Sequence, residues 1–286
     1  MDTNDADKAQ IVQALEDDLG KQYQNALSFL VGGVVWFDTL SSATRRTKNM
    51  ITNEITSAFA SYDIRLARYF GCENWVVHSI RSITALDAWR ADHLRQNRLN
   101  MMELVLRAEP IKQLLLTGLT TAPTEDTELS SSTADQNTSR NSSKQAAIFH
   151  STVRTITQIF ASAALTYLHV VVSGPLPRVK DIEENVLRTV ELFRRLIHYP
   201  ELLSSTIWPL CVTGCMAADD KARKSFRELL EELERGSYQP LGHDYGRALR
   251  VMEQCWKSRD DQGDCYWDWA CTMSLLGTSI EPLVLR

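Results

Sequence analysis

A chain of 286 residues with 44% hydrophobic and 23% charged residues can bury a large core in one or two domains. Its net charge of −5, with no basic stretch denser than Arg45–Lys48, excludes a concentrated cationic face of the kind that holds nucleic acid by its phosphates. The acidic start MDTNDADKAQ does not read as a secretory signal, and the longest apolar-rich run, Ile159–Val172, is shorter than the roughly 20 residues of a membrane span. The chain is therefore expected to be soluble and intracellular, in nucleus or cytoplasm, with no membrane and no direct nucleic-acid partner.

Taken in order, the periodicity is helical nearly throughout. Ile11, Leu15, Leu19, Tyr23, Leu27 and Leu30 recur at three- and four-residue steps and predict one buried face of a first helix. Val76, Val77, Ile80, Ile83, Leu86 and Trp89 predict a second over 73–90, and a third follows over 94–116. Residues 117–143 change character, with two leucines, no aromatic residue and many Ser, Thr, Asp, Glu and Asn. Such a segment cannot bury enough apolar surface to order itself, so a disordered insert between two helical halves is expected.

Beyond it, a helix over 144–172 is stopped by SGPLPRV, because Gly174 suits a helix end and Pro175 and Pro177 forbid continuation. Ile182, Val186, Val190, Phe193 and Ile197 mark the inner face of 181–197. Phe226, Leu229, Leu230 and Leu233 do so for 220–235, with Lys224–Glu228 and Arg227–Glu231 pairing outside. Tyr245, Ala248, Leu249, Met252, Cys255 and Trp256 do so for 243–258. No strand pattern and no fixed repeat is found. The expected fold is all-α, a single domain over 1–286 built as a multi-helix bundle of roughly nine to eleven helices in two packed halves.

The residues that could carry chemistry are few. Cys211 and Cys215 in WPLCVTGC share one helix face, but no C-x-x-C or H-x-x-x-H stands near to complete a tetrahedral zinc site, and their neighbours are apolar. They read as core, and no metal and no cofactor is expected. Asp260, Asp261 and Asp264 spell D-D-x-x-D, a pattern that binds magnesium in all-α terpene cyclases. Here it follows a helix end, contains Gly263 and leaves too little chain for a second metal helix. A solvated turn with capping aspartates is the reading. There is no G-x-S-x-G, and Gly242–Gly246 (GHDYG) reads as a loop ahead of a helix. Catalytic residues are thus unknown. The seven tryptophans fall mostly on apolar faces, as core packing requires; a minority reading is an aromatic cavity for a small apolar ligand. Its candidate residues are Trp75, Trp89, His169, Trp208 and Trp256.

Several segments in this order, LTYLHVVVSGPLPRV (165–179), ELFRRL (191–196), IWPLCVTGCMA (207–217), FRELL (226–230) and ALRVMEQCWKSRD (248–260), resemble the C-terminal regulatory domain of fungal-specific transcription factors, the zinc-cluster activators. WFDTLSS (36–42) and FGCENWVVHSI (70–80) agree more loosely. The resemblance implies an all-helical domain that regulates transcription in a fungal nucleus, by sensing a small molecule or through partners, with WPLCVTGC as a buried structural helix. One departure matters. The family's zinc cluster, six cysteines among Lys and Arg, has no counterpart here, where the first cysteine is Cys72, so direct DNA binding is not carried over. The expected function is that of a co-regulator or ligand-sensing domain tied to a fungal metabolite gene cluster. Its expected partner is a protein such as a DNA-binding transcription factor, and a homodimer is compatible with the sequence. The rival reading is a small-molecule enzyme of cyclase or pericyclase type on the same fold, since orientation in a shaped pocket can suffice for such reactions. A degenerate scaffold is the third.

Overall fold

A computed structural model describes residues 3–51, 64–120, 138–197, 203, 205–236, 239–263 and 267–277. Among these residues there are ten helices and no strand, which agrees with the all-α expectation. They are α1 (Thr3–Arg45), α2 (Ala67–Phe70), α3 (Asn74–Arg95), α4 (Met101–Thr120), α5 (Thr138–Ser173), α6 (Lys180–Leu196), α7 (Ile207–Cys215), α8 (Asp220–Gly236), α9 (Gln239–Gln262) and α10 (Trp269–Leu276).

The centre is α5. Every residue from Ile159 to Val171 is buried on all sides, which happens only to a helix surrounded by others. It touches α3 and α4 on one side and α6 and α7 on the other, so it is the shared wall of the two halves. In this stretch Thr166 Oγ1 donates to the Ser162 carbonyl at 3.1 Å, Tyr167 and His169 turn to carboxylates on neighbouring helices, and Ser162 Oγ is buried without a partner. Ala147–Ser173 is long and apolar enough to cross a membrane, but 78% of its apolar window is buried inside the protein, as a core helix requires. Leu19–Arg45 of α1 passes the same test with 44% buried.

The amphipathic helices of the second half bury the faces their periodicity predicts. Ile182, Val186, Val190 and Phe193 of α6 and Phe226, Leu229, Leu230 and Leu233 of α8 are buried. So are Tyr245, Ala248, Met252, Cys255 and Trp256 of α9, while Ile197 and Leu249 pack at the core's edge. Gly174 ends α5 with φ +88°, a conformation costly to any residue with a Cβ. The Lys224–Glu228 pair forms at 3.8 Å. Arg227 instead reaches across to Glu253 at 3.1 Å and lies over the Trp256 ring at 4.9 Å, which a partner on its own helix would not allow.

Several boundaries differ from the sequence reading. The segment 94–116 is broken: α3 continues to Arg95, Asn97 turns with φ +53°, and Asn100 Oδ1 accepts from the amides of Met102 and Glu103 at 3.0 and 3.3 Å to cap α4. The insert is narrower than 117–143, because α4 runs to Thr120 and α5 starts at Thr138; residues 121–137 lie outside the described residues. Gly242–Gly246, read as a loop, lies within α9. The largest difference is in α1. Leu19, Tyr23, Leu27 and Leu30 are exposed, and Ile11 and Leu15 lie outside the described side chains. The buried face is Val35, Trp36, Thr39, Leu40 and Ala43, because only the last turns of α1 reach α3.

The helix α7 is buried at all nine positions from Ile207 to Cys215. Gly214 is small for a reason: a Cβ there would collide with Met252 of α9, and its carbonyl accepts the Trp256 indole N–H at 2.8 Å. Gly214→Ala is expected to force the Met252 side chain into another rotamer and cost about 1 kcal/mol, read as a lower midpoint of denaturant unfolding.

Candidate functional site

The cysteines of WPLCVTGC sit in the corner where α7 meets α9. Cys211, Cys215 and Cys255 are buried free thiols. Burial pushes the Cys215 thiol well above the ordinary range, and its hydrogen bond with Cys215 together with burial does the same for Cys255. Such thiols are packing groups, not nucleophiles. Among the described residues no set of three or more His, Cys, Asp or Glu is arranged to hold a metal ion. Arg259, one turn beyond Cys255, is buried and donates to the carbonyls of Cys215 and Trp267, both at 2.9 Å, so it ties α7 to the start of α10.

Of the D-D-x-x-D residues, Asp260 is engaged as one arm of a bidentate pair with Arg223 of α8, at 2.6 and 2.7 Å. The Arg223 guanidinium holds its carboxyl below the usual range. Asp261 is exposed at the end of α9, and Asp264 lies outside the described residues. The expected capping turn is in part a helix-joining ion pair.

The five candidates for a ligand cavity have separate surroundings. Trp75 covers Gly118 of α4, where a Cβ would run into its ring. Trp89 stacks on His93 at 4.2 Å between centroids, with the Arg107 guanidinium 4.6 Å from its ring. Trp208 is stacked on Phe160 of α5 at 6.1 Å, and Phe160 also meets Trp36 edge-on at 5.0 Å. Trp256 lies between α7 and the arginines of α8. His169 is buried, with Nε2 3.4 Å from Asp181 Oδ2, which also accepts from Lys112 at 3.1 Å. None of the five lines a broad cleft on the side of α1. That cleft, about 1170 Å³, lies outside the core between α1, α2 and the start of α5, lined by Tyr23, Leu27, Val31, Tyr69, Phe149 and Val153 among others.

A group of residues that periodicity alone passed over is the strongest polar feature of the chain. Arg46 leaves α1 with φ +52° and grips Asp87 of α3 through Nε and Nη2, both at 2.7 Å, while its Nη1 meets Asp268. Tyr167 of α5 donates to Asp87 at 3.1 Å. Asp268 also caps α10 by accepting from the Cys271 amide at 2.9 Å, and the Trp269 indole donates to the Ala43 carbonyl at 3.3 Å. Burial opposes the Arg46 charge, but the two carboxylates outweigh it and raise its pKa. A parallel clamp joins Arg81 to Asp38 at 2.8 Å and to the Ile51 carbonyl at 2.7 Å. The signal was present: Asp87 follows Ile83 by one turn and Arg81 follows Val77 by one turn, charges set on an apolar stripe.

The described residues thus form an all-helical bundle whose ion pairs join its helices to one another. The chain matches the fungal specific transcription factor domain over residues 10–280. It belongs to that family. It is 33% identical over 267 residues to the transcription factor dibT of Pestalotiopsis microspora, covering 89% of this chain and 41% of that protein. Against the trichothecene biosynthesis transcription regulator TRI10 of Fusarium sporotrichioides it is 29% identical, covering 90% of this chain and 56% of the relative. The ustiloxin B cluster transcription factor ustR of Aspergillus flavus is 26% identical, with 86% and 41% covered. The chain thus spans about half the length of the curated relatives it matches, or less. No solved structure matches it.

Two outcomes are expected. Asp87→Ala leaves Arg46 with one carboxylate and strands the Tyr167 hydroxyl, and should cost about 3 kcal/mol in denaturant unfolding. Burial, the largest influence, holds the His169 pKa below its ordinary 6.5; Asp181 pulls it up and Lys112 pushes it down. Its neutral form is the folded one, so its contribution is complete above pH 6.5 and is lost as pH falls through the lower folded value. His169→Gln should flatten the loss of stability as pH falls below 6.5, measured by thermal unfolding at a series of pH values.

Proposed function

We propose that the chain is a transcription regulator of a fungal secondary-metabolite gene cluster, acting in the nucleus as a helical regulatory domain. The observation that carries this is its family membership together with relatives named for trichothecene and ustiloxin clusters. Each relative named above is called a transcription factor or regulator, which favours this reading over a cyclase-type enzyme. These 286 residues carry a net charge of −5 and no run of zinc-cluster cysteines, which supports a regulatory rather than a DNA-reading role for them.

Disruption of the gene in its host should lower transcripts of a contiguous set of biosynthetic genes together, measured by RNA sequencing under producing conditions. Unchanged transcripts with loss of a single biosynthetic step would instead mark an enzyme.

A further inference from the structure

The cleft beside α1 is layered in its chemistry. Its floor is apolar, since Ile64 and Val153 are buried and Val31 is partly so. Three aromatic rings line it, Tyr23 from α1, Tyr69 from α2 and Phe149 from α5, and Tyr23 and Phe149 are exposed at its mouth. The Tyr69 ring is fixed: its hydroxyl donates to the Asn25 carbonyl at 3.3 Å, and it packs edge-on against Phe29 at 5.4 Å. Arg68, its neighbour in sequence, donates to Asn25 Oδ1 at 3.3 Å and is drawn to the same edge. The charged and titratable side chains of the cleft are Arg65, Arg68 and His150 against Glu73 alone, so its rim favours an anion.

The geometry points to a binding site for an aromatic organic acid, a molecule of several linked or fused rings that carries a carboxylate or sulfonate. The cleft, about 1170 Å³, is slightly larger than the roughly 300–1,000 Å³ of most small-ligand sites, so a multi-ring molecule fills it better than a small metabolite. Its ring system lies on the apolar floor between Tyr23, Tyr69 and Phe149. Aromatic walls favour flat rings over an acyl chain, because ring–ring contact adds to the gain from buried area. The anionic group meets Arg68 at the rim, with Arg65 and His150 adding positive potential there. Arg68 now holds only the neutral oxygen of Asn25 at an exposed edge, and a carboxylate offers it a shorter, charge-assisted and bidentate partner. A molecule so seated touches α1, α2 and α5 at once. The assignment rests on the cleft alone and holds whether or not the chain regulates transcription.

Titration of the full chain with 8-anilinonaphthalene-1-sulfonate, an aromatic anion whose fluorescence rises on binding, tests this directly. The probe should bind once per chain with a Kd on the order of 10 micromolar. Phe149→Asp and Arg68→Glu, both at exposed positions, should each weaken it about fivefold or more with unchanged circular dichroism. Leu106→Asp, on the exposed apolar side of α4, should leave the Kd unchanged. As competitors, 9-anthracenecarboxylate should displace the probe about fivefold better than the neutral 9-anthracenemethanol, and better than dodecanoate. Should Phe149→Asp lose helicity, Arg68→Glu and the competitor series decide on their own. Absence of binding, binding indifferent to Arg68→Glu, loss of binding on Leu106→Asp, equal competition by the neutral alcohol, or stronger competition by dodecanoate would overturn the inference.

Discussion

One guanidinium holds the ends of this fold together. Arg46 stands where α1 ends, in a backbone conformation that residues other than glycine rarely adopt, and it meets Asp87 of α3 and Asp268 ahead of α10. Those carboxylates are buried and come from positions far apart in the chain. Either carboxylate alone in the core would be costly, and so would the arginine. Together, with Tyr167 donating from the central helix, they satisfy one another and fix three helices around α5. The C-terminal helix is thereby returned to the first one, and the halves that α5 separates are closed on each other.

Around that clamp the energetics are those of an ordinary helical core. The buried Leu, Ile, Val and Phe side chains of α5 and its neighbours each contribute about 1.5–3 kcal/mol by leaving water. Close helix approach is permitted at chosen points by small residues, Gly214 under Met252 and Gly118 under Trp75. The described core is held by packing and paired charges, while exposed apolar side chains remain on α1, at Leu19, Tyr23 and Leu30, and on α4, at Met101, Met102, Leu106 and Leu114. A regulator that works by contact needs the second more than the first.

The helices α6, α8 and α9 were legible because each has one buried apolar face, as in Phe226–Leu233, and the end of α5 because Gly174 stops it. The buried character of Cys211 and Cys215 was legible from their apolar neighbours. The stripe on α1 was visible too, but periodicity says that a face is apolar and not what covers it; α1 extends past the body, so Leu19 and Tyr23 stay outside. The break before α4 left a trace, Asn100 three residues ahead of Glu103, a capping pattern that the apolar spacing overrode. Asp87 stood out as a charge on an apolar stripe, but that it meets Arg46 and Asp268 depends on the tertiary fold, which no local pattern encodes. The five cavity candidates were chosen as aromatic or apolar-face residues, a criterion that core packing meets equally well.

Residue-resolved native-state hydrogen exchange would test the central claim, that α5 and the Arg46 clamp make the chain one cooperative body. The amides of Ile159–Val171 should be the slowest to exchange, and the buried turns of α3 and α9 should open at the same free energy as α5. If α9 and α10 instead exchanged well before α3, the halves would be independent units, and the clamp would not be what joins them.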